Sequence, residues 1–315
     1  MTVIIAQSVG VDISKDTLDA HAHPADLARR FANDAKGISS LLAWLSRLHV
    51  ERIVFEPTGR FHHAFERRLG EARLPLVKIN PRQARRFAEA IGCRAKTDLV
   101  DAAMLARLGA LLQPACRPII SKALDELKAL NVARTALVKD RVAARNRGHA
   151  LSLPLLRRQA AQRLLHIKQQ LAVIDAAMAE IVAADPELVA RFDILLSIPG
   201  LGRISALAIL IEMPELGTIE NKAAASLAGL APIARDSGRK QGRRFIQGGR
   251  ATLRQALYMP ALVATRFNPA LKAKYQALVQ AGKPPKLAIT AVMRKLLILA
   301  NALLRDRRTW TPDPA

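Results

Sequence analysis

Acidic side chains are scarce in this chain, 26 Asp and Glu against 49 Lys and Arg, so those set in apolar surroundings are the first candidates for chemistry. Asp12 closes the apolar run VGVDIS, and Gly10, two residues earlier on the same strand face, is expected to leave room beside its carboxylate. Glu56 closes RIVFE just before Pro57-Thr58-Gly59. Asp98 and Asp101 stand three apart in a helical pattern, which puts them on one side of a helix about a turn apart. Singly, each also fits a turn, strand-end or helix-cap role. As a set they can converge where strand C-termini meet a helix. Four converging carboxylates repel one another unless a divalent cation neutralises them. All-oxygen ligands select Mg²⁺ or Mn²⁺ over zinc. Beside a nucleic acid, such a site carries out phosphodiester chemistry, the metal stabilising the attacking and leaving oxygens.

A second candidate lies in RDSGRKQGRRFIQGGRATLR, residues 235–254. Arg235, Arg239, Lys240, Arg243, Arg244, Arg250 and Arg254 accompany the single acid Asp236, a density suited to a phosphate track. Ser237 sits inside it, followed by Gly238, which permits close approach of a backbone or phosphate. Nearby cations and hydrogen-bond donors can lower the cost of forming the serine alkoxide. A loop serine bonding its own backbone is the plainer alternative. Tyr258 is a rival nucleophile near Arg250 and Arg254, but Leu257, Met259, Leu262 and Val263 around it favour packing. A further basic cluster, Lys78, Arg82, Arg85, Arg86, Arg94 and Lys96, precedes the acidic pair. It reads as a solvated helix face or as a guide for a nucleic-acid backbone. His21, His23, His62 and His63 show no recognisable metal-ligand spacing and read as surface residues. The turn in IPGLGRISA reads equally as a phosphate-holding helix-hairpin-helix turn or as a plain glycine turn between packed helices.

These residues need a scaffold, and the pattern supplies one. Up to residue 115 the chain reads as mixed α/β, with strand-like runs at 3–5 with 9–13, 17–23, 52–56 and 74–79 and helical spacing between them. From Ala84 the pattern turns helical, and residues 121–185 are helical and poor in glycine. Leu164, Leu171 and Met178 recur every seven residues, interleaved with Ile167, Ile174 and Ile181, a seam that pairs two helices within one chain or across a dimer. A second globular unit starts at Pro186, and residues 309–315 read as a tail.

Composition sets the outer limits. The 315 residues are 50% apolar with a net charge of +23, which excludes disorder as the main state and points to a polyanionic partner. Aromatics are 4%, too few for a protein that grips single strands chiefly by base stacking. Cys93 and Cys116 form neither a disulfide framework nor a thiolate zinc site. No uncharged apolar run is long enough to span a bilayer, and no leader pattern opens the chain, so a cytoplasmic, membrane-free location is expected.

Taken in order, VGVDISK, FEPTG and KTDLVDA resemble the DEDD signature of transposases of the insertion-sequence 110 group, and IPGLGRISALAIL, ASLAGLAPIARDSG and GGRATLRQALYMPALVATRFNP resemble its C-terminal transposase region. The resemblance implies an α/β plus α architecture: an RNase H-like (RuvC-like) domain over 1–118, a helical coiled-coil region over 119–186 and a mainly helical transposase domain over 187–308. It implies Asp12, Glu56, Asp98 and Asp101 as metal ligands and Ser237 as the nucleophile. It further implies donor and target DNA as substrates, a bridge RNA as guide, and a dimer or tetramer whose two domains meet across protomers. The competing readings are a junction-type nuclease using the same carboxylates with water as nucleophile, and a non-catalytic architectural protein.

Overall fold

The computed structural model describes residues 5–93, 98–116, 121–234, 236–237, 242 and 244–312. The chain divides into two compact units, 1–120 and 121–315.

The first unit is a mixed five-stranded sheet with helices. Its strands are β1 (Gln7–Ile13), β2 (Thr17–His23), β3 (Leu27–Ala32), β4 (Val50–Phe55) and β5 (Leu76–Lys78). They lie in the order β3-β2-β1-β4-β5. The first three form an antiparallel meander, whereas β4 and β5 run parallel to β1. Connections to β4 and β5 carry helices α1 (Ala35–Leu45) and α2 (His63–Glu71), as parallel crossovers require. Helices α3 (Pro81–Ala90) and α4 (Asp98–Leu112) follow. Central strands alternate onto two buried layers. Val9, Val11, Ile13, Ile53 and Phe55 pack with Ile38, Leu41, Leu45, Phe65 and Leu69 on one face. Val54 and Val77 pack with Met104, Leu105 and Leu108 of α4 on the other.

The sequence reading had no strand at 27–32. LARRFA lacks the alternation of a half-buried strand because β3 is the sheet edge: only Phe31 is buried, and its neighbours face water. The expected strand segment at 3–5 is partly outside the described residues; β1 begins at Gln7.

In the second unit the long helices α5 (Lys122–Gly148) and α6 (Pro154–Ala183) pair within the chain. Ile167 and Leu171 of the heptad seam are buried with Ala144 of α5, and Arg134 reaches Asp175 across the hairpin at 2.6 Å. The intramolecular alternative for that seam is therefore realised. Beyond it come α7 (Pro186–Ser197), α8 (Arg203–Glu212), α9 (Asn221–Leu227), a two-stranded ribbon of β6 (Pro232–Ile233) and β7 (Phe245–Ile246), then α10 (Ala251–Phe267), α11 (Pro269–Gln280) and α12 (Pro285–Arg305). Asp185 caps α7, accepting from the backbone N–H of Glu187 and Leu188, and Pro186 takes its first position. Helix α12 has the length and hydropathy of a membrane span. Its apolar side is instead the core of this unit, with Val292, Met293, Leu296, Leu297 and Ala300 buried.

Candidate active site

Asp12 sits one residue before the carboxyl end of β1, partly buried. On the same face, Gly10 does not leave open space as expected; the backbone of α4 fills it. A Cβ at Gly10 would lie 2.0 Å from the Ala102 carbonyl oxygen and 2.4 Å from the Ala106 nitrogen. Further back along β1, Ser8 faces Gly109, whose Cβ would fall 2.2 Å from the serine oxygen. Helix α4 thus runs antiparallel to β1, locked by two glycines, and its first turn, carrying Asp98 and Asp101, comes to the carboxyl end of β1. That turn is also the positive end of the helix dipole, which favours negative charge.

Three of the four expected carboxylates therefore share one electrostatic neighbourhood. Burial, then Asp101, Asp98 and Asp19, raise the Asp12 pKa from 3.8 to about 6. Glu56 follows β4 directly, and the register pairs Val11 with Phe55. Glu56 lies just beyond that pair, past the carboxyl end of β4. Glu56 is partly buried, and Asp98 is exposed.

Asp19 and Arg30 were missed. Asp19 is Asp12's cross-strand partner and is 1% exposed. Arg30 on β3 donates from Nε to Asp19 at 2.8 Å and lies 3.5 Å from Asp98, and these contacts raise its own pKa. A signal existed in the sequence: Ser14 and Thr17 bond across a short turn at 2.8 Å, and counting back from that turn sets Asp12 opposite Asp19. The donor set is all oxygen and carries surplus negative charge, so it fits a divalent cation.

The histidine reading is corrected. His62 is 6% exposed, not a surface residue, and its ring stacks on His63 at 4.4 Å. Among the described residues, His62, His63 and Glu66 are the group whose ligand atoms all lie within 4.8 Å of one another and could hold a metal. Lys78, at the carboxyl end of β5 and one strand from Glu56, donates to Glu66 at 2.5 Å and lies 3.3 Å from His62 Nε2. Burial first, then Lys78 and His63, push the His62 pKa down, against Glu66. Lys78 is thus engaged inside the first unit, and a cation at this cluster would compete with it.

On α3, Arg82, Arg85 and Arg86 are exposed, with Arg85 3.5 Å from Glu89; Arg94 and Lys96 lie outside the described residues. Ser237 is exposed next to Asp236, which accepts from the Gly242 backbone N–H at 3.1 Å and from Arg244 at 2.7 Å. Arg235, Arg239, Lys240 and Arg243 also fall outside the described residues. The structure gives Arg250 and Arg254 internal partners. Arg250 donates to the Glu212 carbonyl at 2.5 Å and pairs with Glu215, and Arg254 donates to the Gly248 carbonyl at 2.7 Å. Arg254 fastens the Gly248-Gly249 turn, which crosses Gly229 so closely that a Cβ at Gly249 would fall 2.1 Å from the Gly229 nitrogen. Tyr258 is 37% exposed on α10 while Leu257 is core. Gly200, in the IPGLG turn, packs onto α10 near Pro260 and Ala264.

Comparison with known proteins gives the family of the chain. A family model of DEDD transposases of IS110 type matches residues 9–153, and the model described as Transposase IS116/IS110/IS902 family matches residues 192–276. Over 321 aligned residues the chain is 30% identical to the pilin gene-inverting protein of Moraxella bovis, covering 96% of this chain and 97% of that protein. The pilin gene-inverting protein of Moraxella lacunata matches equally, 30% identical over the same shares. An uncharacterized 42 kDa protein of the insertion element IS900 from Mycobacterium paratuberculosis is 31% identical over 60% of this chain and 51% of its own length. The chain is a DNA-cleaving enzyme of the transposase class. It belongs to the IS110 family of insertion-element transposases, and DNA is its substrate.

Proposed function

We propose that the chain cuts and rejoins DNA at specific sites through a covalent serine–DNA intermediate, with Ser237 as nucleophile and Asp12, Glu56, Asp98 and Asp101 holding Mg²⁺ or Mn²⁺. The observation that carries this reading is the delivery of the acidic first turn of α4 to the end of β1, within a stretch that matches the DEDD transposase model. A divalent cation bound there supplies stabilisation of negative charge on phosphate and leaving oxygens. The chain's own residues do the rest. Ser237 Oγ bonds to a backbone phosphorus as the bond from that phosphorus to a deoxyribose oxygen breaks; the serine loses its proton to solvent and the departing oxygen gains one. Rejoining reverses the exchange with another strand's hydroxyl.

Arg244, with Arg235, Arg239, Lys240 and Arg243 of the same stretch of sequence, supplies the phosphate track for the strand at Ser237. Of the basic cluster before the acidic pair, Arg82, Arg85, Arg86, Arg94 and Lys96 guide DNA toward the carboxylates, while Lys78 is held by Glu66. In this reading residues 1–118 are the RNase H-like, RuvC-like domain, 119–186 the coiled-coil region and 187–308 the strand-joining domain. The net charge of +23 suits simultaneous handling of DNA and a bridge RNA. The enzyme works in the cytoplasm as a dimer or tetramer. Two relatives matched over nearly their whole length are named for gene inversion, which agrees with recombination between paired sites.

Trapping tests the reading. Denaturing gels after incubation with element-end DNA are expected to show a protein–DNA adduct for the wild type, none for Ser237→Ala, and strongly reduced adduct for Asp12→Asn. Continued nicking by Ser237→Ala without any adduct would replace the serine by water and make the chain a junction-type nuclease.

A further inference from the structure

The C-terminal unit holds a cavity of about 680 Å³ between the β6–β7 ribbon, α11 and α12, a size that accepts a small organic ligand. Its charge is one-sided. Among the described residues, Arg244, Lys274, Lys286, Arg294 and Lys295 line it and no acidic residue does. Among the described residues, Lys274, Lys286, Arg294 and Lys295 form no ion pair. The Arg294 Nε is moreover a buried donor without a hydrogen-bond partner, an arrangement that costs free energy until an acceptor arrives. The walls between the cations are apolar: Phe245 and Ile246 from β7, and Leu287, Ala291 and Ile298 from α12.

Helix α12 builds this on the side away from the core. Lys286, Thr290 and Arg294 recur every fourth residue and so stand one above another, while Ile289, Val292, Met293 and Leu296 fill the interior. An apolar slot with cations at its rim matches a flat ring body that hangs from an anionic backbone. In DNA, one unstacked nucleotide offers that form: a base whose sugar carries a phosphate on either side. A paired duplex does not, because its bases are stacked inside. Arg244 ties the cavity to the nucleophile loop, since it bonds Asp236, the neighbour of Ser237.

We propose that this cavity receives one extrahelical nucleotide of the DNA strand presented to Ser237, its base between Phe245 and Leu287 and its flanking phosphates on Lys286, Arg294 and Lys295. Placing a base there would fix the register of the adjoining phosphate at the serine. The proposal rests on the reading of this unit as the strand-joining one, but its test is a binding experiment that does not need Ser237.

The full-length protein is titrated, by fluorescence anisotropy, into a labelled 24-base-pair duplex, the same duplex with one extrahelical thymidine, and a third carrying an abasic nucleotide at the bulge. The bulged duplex is expected to bind about tenfold tighter than the paired one, the scale of a single base stack on a protein surface, and the abasic bulge to lose that preference. Leu287→Glu alters a side chain that is 47% exposed, so folding should survive; it and Lys286→Gln are expected to abolish the preference while weakening the paired duplex much less. An extrahelical 5-iodouracil is expected to crosslink to the peptide containing Phe245. Ser237→Ala should keep the preference, so a wild-type protein that prefers the bulged duplex yet forms no covalent adduct would sink the serine reading alone. Equal affinity for paired and bulged duplexes, a preference unmoved by Leu287→Glu, or crosslinks confined to the first unit would overturn this proposal.

Discussion

Replacing Asp12 by Asn is expected to stabilise the metal-free protein above pH 6. Asp12 titrates near 3.8 when solvated and near 6 in the fold, held up first by burial and then by Asp101, Asp98 and Asp19. The direction follows from proton linkage: between those two values the folded state holds more protons than the unfolded state, so stability falls as pH rises through the window. Below pH 4 both states are protonated and the group costs nothing. Above pH 6 the folded protein carries the full penalty. At about 1.4 kcal/mol per pH unit the interval corresponds to about 3 kcal/mol, reduced to about 2 kcal/mol by the solvent that still reaches a half-buried carboxyl. Asn retains the shape and can accept the Ile13 backbone hydrogen bond without the charge. Trp44, against Phe31 in the first unit with ring centroids 5.9 Å apart, offers a local probe. The only other tryptophan is Trp310, so a Trp310→Phe background isolates it. Urea unfolding in EDTA should place the Asp12→Asn midpoint above the parent's at pH 7.5 and level with it at pH 3.5. Millimolar Mg²⁺ should then raise the parent at pH 7.5 and leave the variant nearly unmoved. A variant no more stable than the parent at pH 7.5, or a gain of equal size at both pH values, would refute the claim that surplus negative charge is stored at this carboxylate.

The remaining expectations address the scaffold. Gly10→Ala drives a Cβ into the Ala102 carbonyl and is expected to cost about 3 kcal/mol, with loss of adduct formation as α4 moves off β1; denaturation and trapping both report it. Arg30→Ala removes the cation paired with buried Asp19 and is expected to destabilise the first unit at pH 7.5, because a buried carboxylate is left unpaired; Trp44 emission in urea reads the loss. Asn301 is fully buried and binds the Gly217 N–H, the Ile219 carbonyl and Asn221; Asn301→Ala strands those groups and should cost about 3 kcal/mol in the second unit, read from Trp310 emission. His62 has its pKa lowered mainly by burial, so the folded state resists its protonation and stability should fall as pH drops through 6.5 toward the depressed value; His62→Gln should remove that part of the acid sensitivity.

Strands and helices with one wet and one dry side were legible from residue spacing alone. Asp12 and Glu56 were found because short apolar runs mark β1 and β4 and a carboxylate closes each, and Asp98 with Asp101 because helical spacing gives them one side of α4. What spacing could not show is which element crosses which. Gly10 reads as empty room until α4 is seen filling it, and β3 reads as a loop because an edge strand needs few apolar residues. The His62-His63 pair reads as polar surface, yet helix α2 turns its first residues onto Phe55 and Lys78.

The basic residues divide along the same line, and the division bears on function. Counting charge treats Arg250, Arg254 and Arg244 as equivalent, but Arg250 spends its guanidinium on Glu215 and the Glu212 carbonyl, and Arg254 spends its own on the Gly248 carbonyl, where replacement would unfasten the Gly248-Gly249 turn and not merely dilute a potential. Lys286, Arg294 and Lys295, by contrast, escaped notice because they sit in a helix whose composition is that of a core, and there they carry unspent charge toward a cavity. A cation whose donors are already satisfied braces the fold; one whose donors face a cavity without an acid can still recognise a phosphate. On that criterion salt should separate the two groups. Substituting Lys286 or Lys295 should reduce the steepness with which DNA binding weakens as salt rises, by about one charge each, whereas Arg254→Ala should lower the melting temperature of the second unit and change that slope only through unfolding. Equal slopes for Lys286→Gln and wild type would mean that the cavity's cations do not meet phosphate.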